Sequence, residues 1–388
     1  MPATFPVPAI RTLLGGLTPR EFLARYWQKR PLLVRGAWPG LRDPVSVSDL
    51  YRLAARDDCE SRVVVHRGAR WELGHGPFRA ARLRALPDRR WTLLVQGLNH
   101  FVPGAAEMMR RFAFVPYARL DDVMVSYAAP GGGVGPHVDS YDVFLLQGLG
   151  RRRWRVAAHG SRECDPRAPL KILKRFRAER EWILAPGDML YLPPGVAHDG
   201  VALEPCLTYS IGFRAPSVRE LGGEFLGFLQ DRLALPDTLY ADPDLAPTRT
   251  PARLDGTLVA RCVRMLERVR WSRGEMLEFL GRHFSEPKPH VRFTPPQRPL
   301  AAAAFARACA ERGVALAPAT GMLYRANRVF INGEPVDAPP GMRAALTRLA
   351  DRRVLAARTS ITPPGAALLY TWYRAGYLAP APRRGESR

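Results

Sequence analysis

An α+β fold is predicted for this 388-residue chain: a double-sheet jelly roll, then helices, then a small mixed unit. Three observations predict it. Short apolar runs at 121–127, 142–148, 151–157, 181–184, 188–192 and 206–213 are separated by Gly and Pro, the punctuation of a small barrel that holds ligands in its mouth. After Pro216 the period changes. Leu221, Phe225, Phe228, Leu229 and Leu233 fall at helical spacing behind the capping box Ser217-Val218-Arg219-Glu220. Near the end, the tight-turn pair Asn332-Gly333 sits between strand-like runs and short helices, a winged-helix-like pattern. These shifts divide the chain into 1–215, 216–286 and 287–388, with Pro287-Lys288-Pro289-His290 as the last linker.

Each element has its own signal. Thr18-Pro19-Arg20-Glu21 is a capping box with proline at the first helical position, and Phe22, Leu23, Tyr26 and Trp27 follow at helical spacing. Those aromatics are read as packing on the barrel. Pro31 ends the helix, and Leu32-Leu33-Val34 reads as a strand. A helix over 46–55, capped by Ser46 or Ser48, leads to strands at 61–66 and 91–96 and a helix over 102–112. His66 and His75 are isolated and are not read as ligands. Beyond the barrel, an Asp- and Pro-rich loop fills 236–252, a helix covers 258–270, and Ser272-Arg273-Gly274-Glu275 caps another. The apolar stripes on these helices must bury against the barrel or a second copy of the chain. Helices are expected near 301–312, 340–350 and 365–376, strands over 322–325 and 328–336, and a frayed tail over 383–388.

A formal charge of +22 raises the question of nucleic acid. Nearly all of it is arginine, since lysine occurs only at 29, 171, 174 and 288, and a GC-rich coding bias gives the same composition. A DNA reader needs a basic recognition helix with polar base-contacting residues, and 341–349 is poor in them. Direct reading of nucleic acid is therefore not expected. Five scattered cysteines without a Cys-x-x-Cys pair indicate free thiols in a reducing cytoplasm. The start Met1 to Pro6 lacks the pattern of a signal peptide, and no run is apolar enough to span a bilayer.

The chemistry concentrates in one stretch. A glycine turn at 131–133 opens into His137-Val138-Asp139, and strand alternation sets His137, Asp139 and Tyr141 on one face. Farther on, His198 follows Pro193-Pro194-Gly195 at a strand end. Two imidazoles and one carboxylate form the donor set of a facial ferrous site with open positions. In Gly150-Arg151-Arg152-Arg153-Trp154-Arg155-Val156, alternation puts Arg152 on the face of Trp154 and Val156, the inside face. A buried guanidinium needs a partner, ideally a bidentate carboxylate. No acid in its own strand shares that face, so a carboxylate brought by a cosubstrate fits.

With Tyr26-Trp27-Gln28-Lys29-Arg30-Pro31-Leu32-Leu33, these segments resemble the bacterial ribosomal-oxygenase family of JmjC-type cupin proteins, most of all over 18–215. The resemblance implies a double-stranded β-helix that uses Fe(II), 2-oxoglutarate and O2. It implies that His137, Asp139 and His198 hold iron and that Arg152, helped by Ser126, clamps the remote carboxylate of 2-oxoglutarate. An acid at 139 favours hydroxylation over halogenation. Asp122, Met124 and Ser126 alternate onto one face, so Asp122 is expected to meet a cationic substrate side chain, with Tyr141 walling the cavity. Asp121-Asp122 also reads as turn chemistry before a strand. The implied substrate is an arginine of large-subunit ribosomal protein 16. A histidyl hydroxylase of another ribosomal protein and a small-molecule cupin dioxygenase remain alternatives. The helical region is implied to dimerise. Because ribosomal proteins are basic, the groove must be locally acidic, or binding must rest on shape and hydrogen bonds.

Overall fold

The computed structural model describes residues 8–68, 70–233, 235, 237–247, 249 and 252–382. The stretch 1–6, part of the 236–252 loop and the tail 383–388 lie outside them. Two antiparallel sheets form the barrel. The larger runs, in spatial order, Leu32–Val34, Met189–Leu192, Val143–Gln147, Cys206–Phe213, Leu120–Ala128, Trp91–Val95, Ser61–Arg67 and Arg70–His75. The smaller runs His137–Val138, Ala197–Ala202, Arg152–Ala157 and Arg180–Leu184. Alternation decides which side each residue serves. Val143 and Leu145 join Trp154, Val156, Leu184 and Leu190 in one apolar cluster. Phe144 and Leu146 point the other way, into the main core with Phe22, Leu50, Met108 and Phe112.

The N-terminal helices cover that outer face. Pro19–Arg25 carries its capping box as expected, and Val47–Ala54 is capped by Ser46 rather than Ser48. Trp27 stacks on Tyr191 with ring centroids 5.9 Å apart. Gln28, at φ 56°, donates its backbone N–H to the Tyr191 hydroxyl at 2.8 Å and its side-chain amide to Asp142 at 3.0 Å. Asp142 is fully buried and also accepts the Tyr191 hydroxyl at 2.6 Å. The Trp-Gln pair thus fastens the end of the Pro19–Arg25 helix to the start of the strand that follows the His-x-Asp segment.

Beyond the barrel come the helices Val218–Gln230, Gly256–Leu266 and Arg273–Ser285. Phe279 packs on Phe225 and Phe228. The same helix reaches the C-terminal unit, where Glu278 pairs with Arg328 at 2.7 Å. That unit has two three-stranded sheets. Met322–Arg325, Arg328–Ile331 and Glu334–Asp337 form a meander, with Asn332-Gly333 at its second turn. Val314–Leu316, Val354–Leu355 and Leu378–Pro380 form the other, which sequence did not announce. All five cysteines are free. No helix of the described residues is long and apolar enough to cross a membrane.

Candidate active site

His137, Asp139 and His198 are the one group of three metal-type ligands among the described residues, their donor atoms all within 4.8 Å of one another. Strand pairing brings the histidines together, since His137 and His198 are directly opposite in an antiparallel pair. Sequence placed His198 at a strand end after the Pro-Gly turn. It lies inside Ala197–Ala202, a strand not foreseen. Asp139 follows the two-residue strand His137–Val138. Its carboxylate reaches within 3.8 Å of His137 Nε2 and 3.6 Å of His198 Nε2.

Both imidazoles are held in the same way. His137 Nδ1 lies 2.9 Å from the Gly135 carbonyl and His198 Nδ1 lies 3.0 Å from the Val196 carbonyl. A carbonyl only accepts, so each Nδ1 carries the proton and each Nε2 keeps its lone pair for a ligand. Gly135 turns its carbonyl there from φ +79°, a conformation that favours glycine. Burial pushes the His198 imidazole down to about 3, with His137 beside it adding to the effect, so the ring stays neutral. Burial raises the Asp139 carboxyl above its usual range, opposed by His137 and by a hydrogen bond from Tyr141. Two imidazole nitrogens and one carboxylate, clustered this closely, suit a divalent first-row cation.

Arg152 lies at the other end of the same cavity. It is 4% exposed and points inward, as alternation requires. Its Nη1 donates to Ser126 Oγ at 3.0 Å, but Nε and Nη2 are buried without an acceptor. Such orphaned donors are costly, and a carboxylate with two oxygens would satisfy them. Trp154 walls this end, its plane resting against Gly200, where a Cβ would come within 2.7 Å of the ring. The cavity holds about 630 Å³, and Met124, Tyr141 and Asp122 also line it. Tyr141 is 40% exposed, and burial of its hydroxyl beside Asp139 keeps it protonated as a donor.

The charge of the site follows from its ion pairs. Asp122 lines the cavity, yet it is not free. It accepts Gln96 Nε2 at 2.8 Å and Lys288 Nζ at 3.2 Å, and Lys288 also bonds Asp121 at 3.0 Å. Among the described lining residues Glu60, Asp121, Asp122 and Asp139 are balanced by Arg62, Arg152, Lys171 and Lys288. The groove is therefore not acidic as a whole. Gln96 and Lys288 escaped the sequence reading. Lys288 carried one signal, being one of four lysines in an arginine-rich chain, set between two prolines. His66 stacks on Trp71 at 4.0 Å, and neither His66 nor His75 belongs to the ligand group.

A two-sheet barrel with a His-x-Asp…His cluster in its mouth and an unpaired guanidinium within defines a JmjC-type oxygenase. Comparison with known proteins agrees. Residues 107–221 match the JmjC domain model and residues 268–379 match the ROXA-like winged helix model. The chain is 37% identical over 340 residues to the ribosomal protein uL16 3-hydroxylase of Escherichia coli, covering 87% of this chain and 90% of that protein. It is 38% identical over 234 residues to a probable ribosomal oxygenase of Haemophilus influenzae, covering 59% of this chain and 55% of that one. The solved structure of E. coli YcfD, a ribosomal oxygenase, with cobalt and 2-oxoglutarate superposes with a TM-score of 0.80 at 34% identity, over 93% of this chain and 98% of that chain. The chain belongs to the bacterial ribosomal oxygenase family.

Proposed function

We propose that this chain is a 2-oxoglutarate- and Fe(II)-dependent hydroxylase of a ribosomal protein, with an arginine of uL16 as its target. The observation that carries the reading is one cavity containing both a preformed His-Asp-His donor set and a buried guanidinium with two unpaired donors. The relatives' uL16 activity and cobalt/2-oxoglutarate complex support it.

His137, Asp139 and His198 would hold iron. Arg152 would take the remote carboxylate of 2-oxoglutarate through Nε and Nη2, while Ser126 fixes Nη1. Iron bound there supplies the redox chemistry by which dioxygen gives one oxygen atom to 2-oxoglutarate, which leaves as succinate and carbon dioxide, and one to an unactivated C–H bond. The chain's own residues do the rest. Trp154 and Leu145 exclude water from the inner end. The Gly135 and Val196 carbonyls keep both rings in the ligating tautomer. Asp122 and Tyr141 would orient the substrate's guanidinium so that a carbon nearer the peptide backbone faces the ligand cluster. Beyond the contact with Asp122, the substrate is expected to be recognised by shape and hydrogen bonds, since the groove as a whole carries no net acid.

Mass spectrometry of uL16 from cells with and without this chain tests the proposal. A one-oxygen mass gain on a uL16 arginine that depends on the chain is expected. Its absence, with intact uL16 recovered from both cultures, would reject uL16 as the substrate.

We also propose that the helical region carries a dimer contact. In Gly256–Leu266 no residue is buried, and Val259, Val263 and Leu266 form an exposed stripe, the last 69% exposed. Leu226 on Val218–Gln230 is 64% exposed. A second copy of the chain is the occupant we assign to these faces, because the exposed apolar residues of Gly256–Leu266 recur at helical spacing rather than singly. Val263→Glu with Leu266→Glu is expected to convert a dimer to a monomer in light scattering after gel filtration. A wild-type monomer at micromolar concentration would reject the dimer. The domain limits at 215 and 286, a cytoplasmic location beside the substrate and the lack of direct nucleic-acid reading belong to the same proposal.

A further inference from the structure

We infer that Lys288 is a built-in competitor for the substrate's cation, seated on the Asp121–Asp122 pair until an arginine side chain displaces it. The inference rests on the reading that Asp122 receives the substrate guanidinium. Lys288 belongs to the linker between Arg273–Ser285 and the C-terminal unit, flanked by Pro287 and Pro289. Its ammonium bridges the two carboxylates at 3.0 and 3.2 Å. It lines the same cavity as His137, Asp139, His198 and the unpaired donors of Arg152.

The charge count gives the reason. Asp121 and Asp122 bring two negative charges. Lys288 contacts both, and Arg214 Nε lies 3.5 Å from Asp121 Oδ1. Two cations therefore neutralise two anions before any substrate arrives. Asp122 is only 3% exposed, and one of its oxygens already accepts from both Gln96 and Lys288. An arriving guanidinium finds no free countercharge at this end unless Lys288 leaves. Arg214 is less suited to leave, because it also donates to the Phe284 carbonyl at 3.1 Å. Among the described residues Lys288 makes no other side-chain hydrogen bond, and its stem is a single flexible chain.

Competition has a selective consequence. A neutral side chain cannot recover the ion pairs lost when Lys288 moves out, whereas a guanidinium replaces the ammonium with a planar fork matched to a carboxylate. Side chains without a cation are thereby rejected. The cost is weaker apparent binding of the correct substrate, reduced by the fraction of chains in which the carboxylates are free.

The test measures binding of a fluorescein-labelled uL16 peptide containing the arginine, by anisotropy, with cobalt(II) and 2-oxoglutarate and without oxygen. Lys288→Met and Lys288→Gln are expected to bind the peptide roughly 5- to 50-fold more tightly than wild type. Both are expected to melt at a lower temperature, because two carboxylates lose their shared counter-ion. Lys288→Arg keeps a competing cation and is expected to bind close to the wild type. A purely structural lysine would lower the melting temperature without tightening the peptide. Asp122→Asn is measured alongside. Weaker peptide binding in Asp122→Asn, with unchanged or weaker binding in both neutral Lys288 variants, overturns the competition alone. An unchanged dissociation constant in Asp122→Asn overturns the guanidinium site itself, and the competition with it.

Discussion

Arg152→Met is expected to lose 2-oxoglutarate binding while making the free protein more stable. The two effects share one origin. The guanidinium is almost fully buried and has one hydrogen bond, to Ser126, with Nε and Nη2 unsatisfied. In the cosubstrate-free chain it is a desolvated charge without a counter-ion, and replacing such a group with an apolar side chain of similar length is worth about 1–4 kcal/mol of stability. With 2-oxoglutarate bound, the same guanidinium forms the charge-assisted fork, and truncating one partner of a buried pair costs about 2–5 kcal/mol, or roughly 30- to 5,000-fold in affinity. Titration of 2-oxoglutarate against succinate formation reads the affinity, and urea denaturation of the metal-free protein reads the stability. Cobalt binding is expected to persist, since Arg152 is not among the clustered donors. A variant with wild-type half-saturation by 2-oxoglutarate shows that the cosubstrate carboxylate lies elsewhere. Arg152→Lys, which keeps the charge and loses the fork, is expected to fall between.

Arg152 was legible in the sequence because its strand is half-buried and alternates cleanly. Arg152, Trp154 and Val156 are buried, while Arg153 and Arg155 are partly exposed. The His-x-Asp pair was legible for a different reason, its residue chemistry, because His137–Val138 is too short to show any period. His198 was found through its Pro-Gly turn, yet the strand around it was not. Ala197-His198-Asp199-Gly200-Val201-Ala202 is almost wholly buried, so no alternation marks it, and it contains Asp and Gly, which strands disfavour. Gly200 is there because Trp154 lies against the strand, a cross-strand contact invisible along the chain. The three short strands of the C-terminal sheet escaped likewise, having two or three residues each.

The charge of the groove shows a harder limit. Asp122 was placed by alternation, but its electrostatic state depends on Lys288, 166 residues away in sequence. A local pattern gives direction, and only tertiary structure gives the countercharge. The basic composition likewise says little about this site, where four acids and four bases line one cavity.

The ligand group gives the other large effect. His198→Ala is expected to abolish both turnover and the stabilisation that metal confers. Loss of a hydrogen bond to a ligating side chain alone costs about 10- to 100-fold in metal affinity, so loss of a direct ligand is expected to cost about 1,000-fold or more. His198 has no substitute nearby. It is 2% exposed, and His137 and Asp139 complete the only donor group found among the described residues. Metal that binds the native state and not the unfolded chain raises stability by about 2.7 kcal/mol at a hundred times its dissociation constant. The wild type should therefore melt at rising temperature as cobalt(II) is added, while His198→Ala should show no rise over the same range. The comparison separates a ligand from a packing residue. A histidine that only filled space between Trp154 and His137 would, when truncated, lower the melting temperature with and without cobalt and leave the cobalt-dependent rise intact. An unchanged rise in His198→Ala would therefore remove His198 from the ligand set, and with it the facial geometry on which the oxygenase chemistry of this cavity depends.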